Sequence, residues 1–286
     1  MMNKPKSVYD NYCEPWEVLY DVVMHYPERL IPHIGDLVTI DRRWRIRAQR
    51  VLDISRGKNI PKIAYQNLGG ELLTRCEPEL LPQFLIGKAF NEMPAEKMEK
   101  MFPLLLRWQV EFIRSMDVIP GQYFSVNLES PEGSWNEVCE ILSTCDNVPI
   151  NVELKENAQL SPHAMQQLAY VCKKTGIRIY IDDLCTFCHR IPDQQEYIIM
   201  LVELLHSHIK IVKIDYDVMK RIRRDWNSYK LVRSNLEAFA WFWFNVTGGL
   251  SLPYVAFESM PVEEMYWIDQ LEILAQKYPN CCYQKG

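Results

Sequence analysis

The sequence lacks a long apolar run, which bears on whether any segment could cross a membrane. A helix that spans a bilayer needs about 20 consecutive apolar residues. The densest apolar stretch, LEAFAWFWFNV at 236–246, is shorter and contains Glu237 and Asn245. We therefore expect this stretch to form a core helix, and we expect the protein to have no membrane partner.

An excess of positive charge is also missing. The chain carries 32 lysines and arginines against 37 aspartates and glutamates, so its formal net charge is -5. A chain with this net charge has no overall positive potential that would attract the phosphates of a nucleic acid polymer. The basic stretch RRWRIRAQR at 42–50 alternates apolar and basic side chains, which predicts an amphipathic strand. We expect no nucleic acid polymer among the partners.

The sequence has neither a secretory signal at its start nor a regular cysteine framework. Its nine cysteines are odd in number and irregularly spaced, which is typical of a reducing compartment. We therefore expect the protein in the cytoplasm. Cys185, Cys188 and His189 resemble half of a zinc site. No second CxxC or spaced histidine pair completes four ligands, which argues against structural zinc.

Short β-rich runs alternate with helix-length segments along most of the chain. The runs are WRIRAQRVLDI, KIAYQNLGGELL, QYFSVNLE, VPINVELKE, IRIYIDD, IKIVKID, PYVAFE and CCYQ. This alternation predicts an α/β fold with a largely parallel sheet, and eight strands favour a TIM-type (β/α)8 barrel. We expect the barrel at 44–286 and a short helical N-terminal extension at 1–43, with the last covering helix absent.

Polar residues follow the apolar run at the carboxyl end of six predicted strands. A parallel barrel brings these ends together at one mouth, so residues far apart in sequence would form one site. The residues are Glu71, Asn127, Glu153, Asp182 with its neighbour Asp183, Lys213 and Glu258.

The first five of these mouth positions, Glu71 to Asp183, would supply only oxygen ligands, the set that Mg²⁺ or Mn²⁺ prefers. Adjacent aspartates repel each other, and two divalent ions bridged by Asp182 would neutralise them. A two-metal oxygen site commonly performs phosphoryl chemistry. Lys213 would lie beside the attacking water or a phosphate oxygen, and Arg75 could bind a phosphate with both arms of its guanidinium. The residues alone predict hydrolysis of a phosphate ester.

Six motifs, in order and with similar spacing, resemble those of the EAL-domain family. GGELLTR at 69–75 is similar to the signature that names the family, with Leu72 in place of alanine. SVNLES, VELKE, IDDLCTF, VKID and VAFES resemble the family's later motifs, and AQRVLDISRGKNI resembles an upstream strand and turn that keeps Gln49. The similarity runs from about residue 44 to the end of the sequence.

This resemblance implies a modified TIM barrel, usually a homodimer, that uses Mg²⁺ or Mn²⁺ to hydrolyse the bacterial second messenger cyclic di-GMP to linear pGpG. By position, Glu71, Asn127, Glu153 and Asp182 match metal ligands, and Asp183 matches the aspartate of the second metal. Lys213 and Glu258 match residues near the catalytic water, and Glu156 matches a glutamate that braces the loop after the aspartates. Gln49, Leu73 and Arg75 match substrate contacts, and Gln284 corresponds to a closing glutamine.

Two functions remain open at this point, with an unrelated barrel as a third reading. Every carboxylate that the resemblance assigns to the metals is present, which favours a working phosphodiesterase. Cys185 and Phe187 replace the family's glycines in the loop after the paired aspartates. A residue with a Cβ adopts a backbone conformation with positive φ much less readily than glycine does. This replacement favours the alternative, a catalytically degenerate regulator that binds cyclic di-GMP or another protein without turnover.

Overall fold

The computed structural model describes residues 14–40, 65–118, 122–128, 132–154, 160–182, 192–214, 242–249, 253–260 and 281–285. The helices are α1 (Pro15–His25), α2 (Gln83–Glu92), α3 (Ala95–Ser115), α4 (Trp135–Ser143), α5 (Pro162–Thr175) and α6 (Pro192–Leu205). The strands are β1 (Leu30–Ile40), β2 (Tyr65–Cys76), β3 (Tyr123–Asn127), β4 (Ile150–Leu154), β5 (Ile179–Ile181), β6 (Ile209–Ile214), β7 (Tyr254–Met260) and β8 (Cys281–Lys285). Residues 242–247 are also helical.

The eight strands form a closed barrel in chain order. Each strand from β2 to β7 pairs in parallel with the strand that follows it. β1 runs antiparallel to both of its neighbours, β2 and β8. The predicted α/β barrel is confirmed, and the antiparallel strand is a feature that the sequence pattern did not indicate.

The first barrel strand lies in a different place from the one that the sequence predicts. The predicted run at 44–54 falls outside the described residues, whereas β1 spans Leu30–Ile40. The expected N-terminal extension at 1–43 therefore contains a helix, α1, and also a strand of the barrel wall. The division after residue 43 stays a prediction, as does the absence of a covering helix after the last strand.

Local signals in the sequence set the ends of α5. Ser161 caps the helix, since its Oγ accepts a hydrogen bond from the Ala164 backbone N–H at 3.2 Å, and Pro162 stands at the first helical position, where its missing N–H costs nothing. Gly176 ends the helix with φ of 79°, a left-handed conformation that glycine adopts without a Cβ penalty.

The core lies between the barrel and the helices that cover it. The long helix α3 presents a buried face, which includes Met101, Phe102, Leu105 and Leu106 at helical spacing. α1 packs against α2 and α3, which places the N-terminal helix beside the carboxyl end of β2. Among the described residues, no helix is long and apolar enough to cross a bilayer.

Four cysteines in this core have thiols that are hard to ionise. Burial raises the pKa of Cys76 and of Cys172 to about 12 and the pKa of Cys139 and of Cys145 to about 11. The thiolate is the reactive form, so at pH 8 these four residues should resist alkylation by iodoacetamide in the native protein. Peptide mapping by mass spectrometry should find them unmodified, and fully modified when the reaction is repeated in guanidinium chloride. Rapid native labelling of Cys76 or Cys172 would contradict their burial.

Candidate active site

The parallel registers bring three of the predicted mouth residues onto neighbouring strands. Asn127 at the end of β3 is paired with Glu153 on β4. Asp182 directly follows β5, whose Ile181 is paired with Leu154 of β4 and with Val212 of β6. Lys213, the next residue on β6, therefore stands beside Asp182. Side chains alternate between the two faces of a strand, so the residues at these positions face the interior of the barrel together.

Lys213 is the centre of a buried ionic cluster. Its Nζ lies 2.5 Å from Glu153 Oε1 and 3.5 Å from Asp182 Oδ1. Glu153 is 1% exposed and Lys213 is 3% exposed. The side chain of Asp182 is 16% exposed and is therefore in partial contact with solvent. A buried charge costs several kcal/mol unless it is paired, so this geometry stabilises the ammonium and both carboxylates together.

Hydrogen bonds below this cluster fix the orientation of Glu153. Ser125 Oγ donates to Glu153 Oε2 at 3.2 Å, so each carboxylate oxygen has a partner. One layer deeper, Asn151 Nδ2 donates to the Tyr180 hydroxyl at 2.9 Å, and the Arg178 backbone N–H donates to Asn151 Oδ1 at 3.0 Å. Ser125 therefore holds the glutamate in addition to its ion pair, and the bonds of Asn151 form a separate polar group on the same strands.

Sequence reasoning missed this supporting network. Ser125 stands two residues before Asn127 on β3, and Asn151 stands two residues before Glu153 on β4. The period of two in a strand places each of them on the same face as the residue it precedes. Alternation could therefore have indicated Ser125 and Asn151, although their partners depend on the register between strands.

Three other predicted residues have described backbones and undescribed side chains. Glu71 on β2 is paired with Ser125 on β3, which places it at the level of the glutamate network. On β7, Ala256 is paired with Lys213, so Glu258 lies two residues further towards the mouth. Gln284 on β8 is paired with Leu37 of β1. Asp183, Glu156 and Gln49 lie outside the described residues, and their roles stay predictions.

A cavity of about 410 Å³ opens beside the cluster. It joins two predicted substrate contacts, Leu73 and Arg75, to two predicted metal ligands, Asn127 and Asp182. Helices α2 and α3 provide the opposite wall, with Ile86, Phe90, Phe102 and Leu105 among the lining residues. The volume is in the range of small-molecule sites, which are mostly apolar with a few polar groups.

The donor set at this mouth fits a hard divalent cation in chemical type. Asn127, Glu153 and Asp182 all offer oxygen atoms, which Mg²⁺ and Mn²⁺ prefer. Among the side chains that the structure describes, histidine, cysteine, aspartate and glutamate do not form a group of three that could hold a metal.

Comparison with known proteins gives the fold and leaves the activity open. No family model and no curated protein matches the sequence. Solved structures do match, including the EAL enzyme Bd1971 in its cAMP-bound form, with a TM-score of 0.56 and 14% identity over 94% of this chain and 66% of that one. This chain thus spans just under two thirds of the length of Bd1971.

Two further structures agree in fold and cover this chain to a similar extent. An EAL-domain protein from Listeria monocytogenes EGD-e has a TM-score of 0.55 and 14% identity, with 94% of this chain and 90% of that chain covered. The PaMucR phosphodiesterase in complex with c-di-GMP has a TM-score of 0.54 and 16% identity, with 90% and 94% covered. The predicted resemblance is confirmed at the level of architecture: this chain has the EAL-domain fold.

Proposed function

We propose that the protein is a metal-dependent phosphodiesterase that hydrolyses cyclic di-GMP to linear pGpG and so lowers the level of this second messenger. The observation that carries the proposal is the buried cluster of Glu153, Asp182 and Lys213, which opens into the 410 Å³ cavity lined by Arg75 and Asn127. The similarity in fold to PaMucR, a phosphodiesterase solved with c-di-GMP, supports the choice of substrate.

The metal ligands in this proposal are the oxygen donors at the barrel mouth. Glu71, Asn127, Glu153 and Asp182 would hold Mg²⁺ or Mn²⁺, and Asp183 would complete a second position. Two bound ions would supply an activated water and would stabilise the charge that develops on the phosphate. Ser125 supports this arrangement, because its hydrogen bond to Glu153 Oε2 fixes one ligand before any ion binds.

The remaining assigned residues act on water and substrate. Lys213 is fully buried and cationic, so it would hold the attacking water or a phosphate oxygen by donating a hydrogen bond, with Glu258 beside it. Glu156 would brace the loop after the aspartates. Arg75 and Leu73, which line the cavity, would bind the phosphate and the nucleotide. Gln49 and Gln284 would add further substrate contacts.

The proposal extends to the setting in which the protein works. Cyclic di-GMP is a bacterial cytoplasmic signal, so we place the protein in the bacterial cytoplasm. We also expect a homodimer, as the resemblance implies.

The proposed activity can be tested directly with purified protein. Incubation with cyclic di-GMP and Mg²⁺ or Mn²⁺ should give the linear dinucleotide, resolved by chromatography, because the mouth residues supply a two-metal donor set. The product should disappear when a chelator is added and return when excess metal is restored. Absence of product with either metal, at protein concentrations that bind the nucleotide, would contradict the phosphodiesterase.

One observation favours a second candidate, a regulator that binds cyclic di-GMP without turnover. The Lys213 ammonium already pairs with two predicted metal ligands, Glu153 and Asp182, and offsets one of their two negative charges. Part of the repulsion between these carboxylates is therefore relieved without a divalent ion. Nucleotide binding that is insensitive to chelator and gives no product would identify this second function.

A further inference from the structure

Two exposed cations near the amino end of β5 have no carboxylate partner among the described residues. They are Lys173, in the last turn of α5, and Arg178, which directly precedes β5. Four other surface cations each lie within 4.0 Å of a carboxylate, namely Arg29, Lys88, Arg107 and Arg114. The chain as a whole has a formal net charge of -5, so two unpaired cations in one place require an explanation.

The pairing of β5 with β6 places a histidine beside Arg178. Ile179, the first residue of β5, is paired with Ile209 of β6, and its backbone N–H donates to the His208 carbonyl oxygen at 2.9 Å. Arg178 Nη1 donates to the Ser207 carbonyl oxygen at 3.0 Å, so the guanidinium lies against the residue that precedes His208. This bond uses one N–H of the guanidinium and leaves its other donors for a ligand.

His208 is held as a neutral hydrogen-bond donor. Its side chain is partly buried, and its Nδ1 is buried with no hydrogen-bond partner among the described residues. Burial lowers the pKa of His208, and the positive charges of Arg178, His206 and Lys173 lower it further. A neutral imidazole carries its proton on one nitrogen, and a buried N–H without a partner is rarer than a buried acceptor without one. The bare nitrogen is therefore Nδ1, and the Nε2–H group can donate to a ligand.

The carbonyl groups at the neighbouring helix ends already have partners. Cys172 O accepts from the Gly176 backbone N–H at 2.9 Å, and Val202 O accepts from the His206 backbone N–H at 2.9 Å. His206 Nδ1 also lies 3.0 Å from Val202 O. Basic side chains near the carboxyl end of a helix often serve such carbonyls. Because these carbonyls are bonded already, the two unpaired cations are not needed for that role.

We propose that Lys173, Arg178 and His208 form a binding site for a phosphate dianion at the end of the barrel opposite the proposed active site. The two cations balance the charge of about -2 that a phosphate group carries at pH 8, and the neutral His208 adds a hydrogen bond without adding charge. The guanidinium fork of Arg178 suits two phosphate oxygens. A carboxylate has a single negative charge and would leave one cation unbalanced. The inference does not depend on the proposed function, because these residues do not belong to the barrel mouth.

Calorimetric titration with sodium phosphate at pH 8 tests the site, at low ionic strength and with a chelator to remove bound metal. Arg178→Met should weaken phosphate binding about ten- to a hundredfold, the usual effect of losing a hydrogen bond between charged groups. Lys173→Met should weaken it in the same direction. Lys174→Met is the matched control and should leave the affinity unchanged. Lys174 is exposed on the same helical turn and has the same charge, but it is not among the groups that act on His208.

Two substitutions of His208 separate its hydrogen bond from the charge of the cluster. Glutamine keeps an N–H donor on a side chain of similar length, whereas leucine has none, and neither is charged. His208→Leu should weaken phosphate binding about tenfold, and His208→Gln should retain most of the affinity. Thermal unfolding shows whether each variant is folded; if His208→Leu is not, the comparison of Arg178→Met and Lys173→Met with Lys174→Met decides.

Two further ligands identify what the site recognises. Sodium acetate should bind about tenfold more weakly than phosphate or less, since it balances only one cation. Ribose 5-phosphate carries the same group on a larger body: binding at least as tight as that of inorganic phosphate would assign the site to a phosphorylated small molecule, and weaker binding would assign it to free phosphate.

Three results would overturn the site. The first is no phosphate binding at tens of millimolar. The second is an equal loss of affinity in Lys173→Met and Lys174→Met, which would indicate a diffuse positive field in place of a site. The third is a loss in Arg75→Met with none in Arg178→Met, which would place the phosphate at the barrel mouth, where Arg75 lines the cavity.

Discussion

Lys213→Met is expected to lower the free energy of unfolding by about 3–5 kcal/mol, the usual effect of removing one partner of a buried ion pair. Methionine has a similar length and no charge, so it leaves the Glu153 carboxylate, 1% exposed, without its ammonium. The hydrogen bond from Ser125 remains and compensates only in part. Urea unfolding in the presence of a chelator would measure the loss without a contribution from bound metal.

Two further variants make this measurement specific. Lys210→Met is the matched control on the same strand, because Lys210 Nζ lies 5.8 Å from the Tyr123 ring, a contact worth about 0.5–1 kcal/mol at an exposed site. Adding Glu153→Gln to Lys213→Met removes the uncompensated charge and should recover part of the stability. A loss below about 1 kcal/mol for Lys213→Met, the usual worth of an exposed pair, would contradict the burial of this ion pair.

Asp182→Asn should lower the rate of cyclic di-GMP hydrolysis at least about a hundredfold, as removal of one preorganised charge at a reacting centre typically does. The amide oxygen can still accept a hydrogen bond from Lys213, and the side chain is only partly buried, so we expect little change in stability. The loss would therefore report on metal binding and turnover rather than on folding. Initial rates at saturating Mn²⁺ give the comparison.

Asp146→Asn provides the control for this second prediction. Asp146 is exposed and borders a groove with Tyr123 and Ile150, residues at the amino ends of β3 and β4 and therefore at the opposite end of the barrel. The same change of charge there should leave the rate unaltered. An Asp182→Asn protein that kept more than half of the wild-type rate would remove the metal assignment on which the proposed function depends.

The sequence predicted those parts of the fold in which a short segment contains a residue pattern typical of a helix end or of a strand. Ser161, Pro162 and Gly176 mark the ends of α5, and the apolar runs before Asn127, Glu153 and Asp182 mark the strands that end there. β1 carries no such signal, because Pro32 and Gly35 interrupt its pattern. Its place in the barrel is decided by antiparallel pairing with β2 and β8, which no local pattern contains.

The site could be predicted as a set of residues and not as a set of contacts. The rule that parallel strand ends converge is enough to bring Glu153, Asp182 and Lys213 to one mouth. That Lys213 lies between both carboxylates depends on the register of three strands across 60 residues.

The antiparallel strand β1 has a consequence for how this barrel could be divided. Among the strands that the structure describes, β1 joins the first parallel strand to the last, because it pairs with β2 on one side and β8 on the other. A fragment beginning at residue 44 would keep all seven parallel strands and lose β1, which pairs with β2 and β8. Two strand edges would then be open to pairing with other chains, which is a common route to aggregation. The segment before residue 44 is thus the closure of the wall as well as an extension.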